Sequence, residues 1–344
     1  MRLSVSKRRS RLFACVCLMA MPILGSAQTY TVTDLGTLGG TETVAIAINA
    51  SGQITGGSTT ASGAYHAFLY FNGKMTDLGT LGGPSSQGQS INKLGTVAGY
   101  AQLPPGPLGG YPPHPISLYN AFTDANGKMT GIGATGGVGY AINDLDEVVA
   151  VEPTGAILYS SNGTATNLGG LGGSSGSTQP ECINNSGQVV GYGYLPDGNF
   201  RGFVWANGAM TVLGTLGGDW SQAYAINTAG VVTGAAYTTG NLTQMAFVYS
   251  NGNMRSLGVL SANGLSVGRA INSANTVVGY ATAASGSYHA FIYSGSKMQD
   301  LNNLIPANSG WVLSQANGIN DSGEIVGYGI VNGLEHGFLL TPKK

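Results

Sequence analysis

The chain has 344 residues, 57 of them glycine, and only 8% are charged, against roughly a quarter in an ordinary globular domain. Its 14 basic and 15 acidic residues nearly balance, which excludes the basic surface that grips nucleic acid. The glycines keep no three-residue period, so a collagen-like rod is excluded as well.

At the start, Lys7, Arg8, Arg9 and Arg11 precede an apolar run of 13 residues, Leu12 to Leu24, and then Gly25-Ser26-Ala27. This is the pattern of a secretory leader removed after about Ala27. The run is shorter than the ~20 residues that span a bilayer. The expectation is a leader at 1–27 and a single domain at 28–344, exported to the periplasm or the medium without stable membrane insertion. Cys15 and Cys17 leave with the leader. Cys182 is then alone, no internal disulfide forms, and a small buried residue is expected there. Five basic residues leave too, so nine remain against 15 acidic ones, a net charge of −6 with the histidines neutral.

The next segment, TVTDLGTLGG at 31–40, returns as MTDLGTLGG at 75–83 and as MTVLGTLGG at 210–218. Between such copies the pair Ile-Asn recurs seven times: Ile48-Asn49, Ile91-Asn92, Ile142-Asn143, Ile183-Asn184, Ile226-Asn227, Ile271-Asn272 and Ile319-Asn320. The mean step is about 45 residues, the period of a four-stranded propeller blade. In the first unit a strand ends at Ile48, and Asn49-Ala50-Ser51-Gly52 turns into a second strand. A third strand, HAFLYF at 66–71, meets Asn72-Gly73, the strongest hairpin signal for a type I′ turn. KMTDLG at 74–79 is the fourth strand. Asn-Gly recurs at this place at Asn126, Asn162, Asn207 and Asn251, and Gly295-Ser296 replaces it once. In the third strand a small residue precedes a large apolar one, as in Ala67-Phe68, Ala121-Phe122 and Ala290-Phe291, the alternation that interdigitating sheets need.

The chain thus opens on a fourth strand, Tyr30 to Leu35, without its hairpin partner, and ends on a third strand, His336 to Leu340, without its follower. Pairing the two closes a ring and hides both edges. The predicted fold is all-β, a seven-bladed β-propeller of four-stranded antiparallel blades, and a monomer is expected.

HAFLY, HAFIY and HGFLL, together with DLGTLGG and the Ile-Asn turns, resemble the HAF repeat family of exported bacterial proteins, over essentially all of residues 28–344. The resemblance implies a repeat protein outside the cytoplasm and no established chemistry.

Strand alternation puts the loops after second and fourth strands on one face, and that face carries the variable segments. The longest, 101–119, holds six of the 13 prolines with Tyr111, His114 and Tyr119. Stiff loops and tyrosines suit binding of a carbohydrate, peptide or protein. Asp219, Trp220 and Glu42, in loops after fourth strands, and Trp311 are expected on the same face. The opposite face, closed by short Asn turns, is expected to shape no pocket. His66, His289 and His336 share one repeat position away from the axis. They are expected to be structural imidazoles bonded to backbone, not metal ligands. The LGTLGG stretches lack the ending of a phosphate loop, and Asn143 to Glu147 departs from a calcium loop. No catalytic residue, metal or cofactor is assigned. The expected function is a binding scaffold. A polysaccharide-acting hydrolase or lyase and a structural cell-surface protein are the alternatives.

Overall fold

A computed structural model describes residues 28–343 apart from 106–107, 110–113, 116–117 and 174–177, and only the backbone at 108–109 and 114–115. The leader at 1–27 lies outside the described residues. Seven four-stranded antiparallel sheets form the blades, with a two-stranded hairpin, Leu108–Gly109 with His114–Pro115, inside the long insertion. Blade 1 takes Gly39–Ile48, Ile54–Thr60, Tyr65–Phe71 and Lys74–Asp77 in order from the axis outwards. The innermost strands of blades 2 to 7 are Ser86–Ile91, Val138–Ile142, Gln179–Ile183, Gly217–Ile226, Ser266–Ile271 and Trp311–Ile319.

The orphan ends meet as expected. Tyr30–Asp34 pairs antiparallel with Leu334–Pro342, Val32 facing Leu340 and Asp34 facing Phe338. The last blade is therefore built from both ends of the chain. Tyr30, Leu35, Phe338 and Leu340 are buried there.

The blade core is the third-strand phenylalanine: Phe68, Phe122, Phe203, Phe247, Phe291 and Phe338 have no exposed surface, and Ile157 takes the place in blade 3. Burial of each contributes about 2–3 kcal/mol. The Asn-Gly hairpins carry two left-handed residues, as at Asn72 (φ 50°) and Gly73 (φ 79°). Blade 3 departs from this: Gly163 alone is left-handed, and the Asn162 side chain instead accepts the Thr164 N–H at 2.9 Å.

Around the axis runs a feature the repeat did not announce. Each Asn after the repeated Ile donates through Nδ2 to the backbone carbonyl of the equivalent Asn in the next blade, from Asn49 to Asn92 at 2.9 Å and finally from Asn320 back to Asn49 at 3.1 Å. Its Oδ1 accepts two N–H groups of its own turn, as Asn184 does from Ser186 and Gln188, both at 3.0 Å. Seven asparagines thus form one closed hydrogen-bonded belt. The residue three after each Asn is left-handed in all seven turns. It is glycine in five and Asp146 or Asn275 in the others, types that tolerate this region.

Candidate functional site

The innermost strands share a second irregularity. In every blade the pairing with the second strand slips by one residue two positions before the repeated Ile. The extra residue of this β-bulge is released from the ladder, and a bulge re-aims its side chain. The seven released residues are Ile46, Gln89, Tyr140, Glu181, Tyr224, Arg269 and Asn317, and all seven line one cavity of about 230 Å³ on the axis. The facing position on the second strand is glycine in six blades and Ala150 in blade 3, because the bulge brings the first strand close against it. A methyl group on Gly99 would overlap the carbonyl oxygen of Gln87.

The columns around the bulge do not vary in this way. The residue after it is small (Ala47, Ser90, Ala141, Cys182, Ala225, Ala270, Gly318) and the next is always Ile. Cys182 is therefore the small residue of its blade, although it borders the cavity. Burial and the neighbouring Glu181 push its thiol pKa up, against hydrogen bonds from Ile226 and Ile183. The isoleucines form a waist between this cavity and a well of about 230 Å³ at the asparagine belt. That face was expected to shape no pocket. The well exists because seven short turns surround an open axis, even though none of them alone encloses space.

Within the channel several polar tips are already satisfied. Asn317 donates to the Ala45 carbonyl at 2.8 Å and accepts from Gln315 at 2.7 Å. The Tyr224 hydroxyl bonds Gln222. Arg269 stacks on the Tyr224 ring, its guanidinium carbon 4.6 Å from the centroid. Glu181 faces the same space from blade 4, with Tyr224 of blade 5 between it and Arg269. The ion pairs within 4.0 Å among the described residues are three His–Asp pairs, so Glu181 and Arg269 are not in contact. Burial pushes the Glu181 carboxyl up to about 7, with Arg269 pulling the other way. Tyr100, Tyr192, Tyr280 and Tyr328 stand on the second strands of blades 2, 4, 6 and 7. Burial raises the pKa of each of these phenols.

The residues singled out from sequence are not gathered in one place. Tyr111 lies outside the described residues, and of His114 only the backbone is described, in the small hairpin. Tyr119 packs edge-on against Tyr100, with centroids 5.7 Å apart. Glu42, Asp219 and Trp220 are not in loops. They belong to the long first strands of blades 1 and 5, which begin at Gly39 and Gly217. Trp220 packs against Tyr237, centroids 5.3 Å apart, and Asp219 accepts from Asn241 at 2.8 Å. Trp311 lies half-buried against Phe338 in the core of the closing blade. The three histidines bond carboxylates, not backbone: His66 meets Asp77 and His336 meets Asp34 at 2.9 Å, and His289 meets Asp300 at 2.6 Å. In the Asn143 to Glu147 cluster, Asp146 and Glu147 accept from asparagines of the belt at 2.7 and 2.6 Å.

No protein-family model matches the sequence. No curated protein matches it. By shape the chain is similar to the β-propeller domain of the trilobed protease of Pyrococcus furiosus, a propeller of open velcro topology. The TM-score is 0.55 at 8% identity, over 91% of this chain and 95% of that one. It is similar as well to a puromycin-hydrolysing peptidase of Mycobacterium tuberculosis, at a TM-score of 0.54 and 11% identity over 88% of this chain and 52% of that one. A third likeness is to YCF48 bound to D1 peptide, at 0.52 and 10% identity over 92% and 96%. Identities this low speak to the fold alone.

Proposed function

We propose that the chain is an exported binding protein of the HAF repeat kind, which captures a small polar ligand in its axial channel from the face bearing the 101–119 insertion. One observation carries this reading. A ring that repeats its Asn, its Ile and its small residues seven times places a nearly unrepeated set of side chains at the one column that a bulge turns into the cavity. Stability asks for uniformity around a ring. Recognition of an asymmetric molecule asks for difference, and polar groups set in a concave site fix a ligand's orientation.

Hydrolysis is less well supported. Glycoside cleavage uses two facing carboxylates, and Glu181 is the one carboxylate among the seven bulge residues. The His–Asp pairs lie on third and fourth strands, away from the axis. The test is a thermal-shift screen of sugars, amino acids and short peptides, followed by Tyr140→Ala, Tyr224→Ala and a Gly-Ser replacement of 101–119. Loss of binding in the tyrosine variants supports the channel. Loss in the loop replacement alone moves the site to the rim.

A further inference from the structure

This inference rests on the channel being the binding site, and it concerns the chemical class of the ligand. Three of the bulge side chains, Gln89, Glu181 and Arg269, present polar tips to the cavity, and the last two carry opposite charges. The fold does not ask for either charge. The same bulge holds Ile46 in blade 1, Gln89 in blade 2 and Asn317 in blade 7, so neutral side chains complete the ring equally well. Charges set in a confined space without a partner cost stability, and such groups concentrate where a site needs them.

Glu181 and Arg269 could have offset that cost by pairing with each other. They stand instead on blades 4 and 6 with Tyr224 between them, beyond ion-pair contact, and Arg269 is held on the Tyr224 ring. The gap leaves both charges turned to one cavity. We propose that the channel binds a small zwitterion of free amino-acid size, its carboxylate against the Arg269 guanidinium and its ammonium against the Glu181 carboxylate. The guanidinium fork matches a carboxylate in two parallel hydrogen bonds. A neutral sugar would leave both protein charges unmatched. A dianion would meet Glu181, and a diamine would meet Arg269.

The pH behaviour follows from the groups that face Glu181. These are Cys182 beside it, Tyr140, Tyr192 and Tyr224 around it, and Arg269 across the cavity. Burial leaves the carboxyl half-protonated near pH 7 in the free protein. Only the ionised form accepts an ammonium, so zwitterion affinity rises as pH increases from about 6 to about 8.

The experiment is calorimetric titration of the purified chain with free amino acids. Each one that binds is compared with its amine lacking the carboxylate and its acid lacking the ammonium. At least one amino acid is expected to saturate the protein at roughly millimolar concentration or below, with both truncated analogues weaker by about tenfold or more. Glu181→Gln and Arg269→Gln are each expected to weaken it by about tenfold or more, and Glu181→Gln to flatten the pH dependence. Gln89 already occupies this bulge, so glutamine fits the backbone in both variants. The comparison of analogues on the unaltered chain does not depend on either variant folding. If no amino acid binds, or a truncated analogue binds as tightly as its parent, the zwitterion is wrong. A sugar or peptide whose binding is lost on Tyr140→Ala would overturn the zwitterion and keep the channel. Binding that survives every bulge substitution but is lost with 101–119 would overturn both.

Discussion

Two positions around the axis in each blade, three residues apart, follow opposite rules. Just past the end of the innermost strand the seven blades all carry Asn; at the bulge they carry Ile, Gln, Tyr, Glu, Tyr, Arg and Asn. The uniform position is buried, and each Asn holds the next blade through its Nδ2 and its own turn through its Oδ1. The varied position is half-buried and borders the cavity. Where a side chain must fit its own copy in the next blade, one type serves all seven. Where it faces an open axis, no copy of itself has to be matched in the next blade, and the contacts differ from blade to blade: Asn317 bonds the Ala45 carbonyl, and Arg269 stacks on Tyr224.

The comparison breaks most completely if the ring is opened. Removing residues 28–35 takes the outer strand from the last blade and uncovers Phe338 and Leu340. The loss should exceed about 5 kcal/mol, most of the stability of an ordinary domain. The urea midpoint reads it, and a shift of a few tenths of a molar would mean that the blades stand without closure.

Next in size is the contrast between the two positions themselves. Asn184→Ala removes donors to Gln188 and to the Asn227 carbonyl and an acceptor for two N–H groups, all buried or nearly so. Unsatisfied buried groups cost about 1–3 kcal/mol each, and a total of about 3 kcal/mol is expected. Gln89→Ala at the bulge should cost under about 1 kcal/mol by the same measurement, because its side chain lines the cavity. Equal costs would end the distinction between belt and bulge.

Glu181 sharpens the contrast through pH. Its carboxyl titrates near 7 when folded against 4.5 ordinarily. The folded state therefore holds more protons than the unfolded one between those values, and stability falls as pH rises through that window. Glu181→Gln lacks this loss. It should be the more stable protein at pH 8 by on the order of 2 kcal/mol, with the gap closing towards pH 4. Parallel curves for the two proteins would show that the carboxyl is not held in its neutral form.

What the sequence disclosed and what it hid follow from the same division. Blade number, the split last blade and most hairpins were legible because Ile-Asn, Asn-Gly and Ala-Phe recur in register. The site was not, because a search for recurrence passes over the column that does not recur. A one-residue bulge also breaks the alternation by which strand faces are read. The signal was present two residues before each Ile, in seven side chains of mixed size and charge. The loop pattern points instead to Trp220, Trp311 and Tyr119 as contacts. In the structure each packs on an aromatic ring of its own blade, where large rings find most of their stabilisation.

The smallest effect separates position in the fold from position in the chain. His66 with Asp77 and His336 with Asp34 have the same geometry, 2.9 Å with similar exposure, but the first pair lies within one blade and the second joins the two chain ends. Within this sequence histidine and aspartate occur together: blades 2 to 5 carry Asn120, Gly155, Arg201 and Met245 in place of the histidine, and none of them has the aspartate. Partly exposed pairs of this kind are worth about 0.5 kcal/mol. A non-covalent contact gains nothing at equilibrium from the length of chain it spans, so His66→Gln and His336→Gln should lower stability by the same amount. Their kinetics should differ. If unfolding begins where the ends are joined, the His336 pair is already broken in the transition state, and its loss speeds unfolding about twofold while leaving the refolding rate unchanged. The His66 pair, inside a blade that is still intact at that point, is present in the transition state, so its loss should slow refolding about twofold and leave the unfolding rate unchanged. Stopped-flow unfolding and refolding of the two variants, against a His289→Gln control, decides this. The same partition for all three would mean that the ring does not open at its seam.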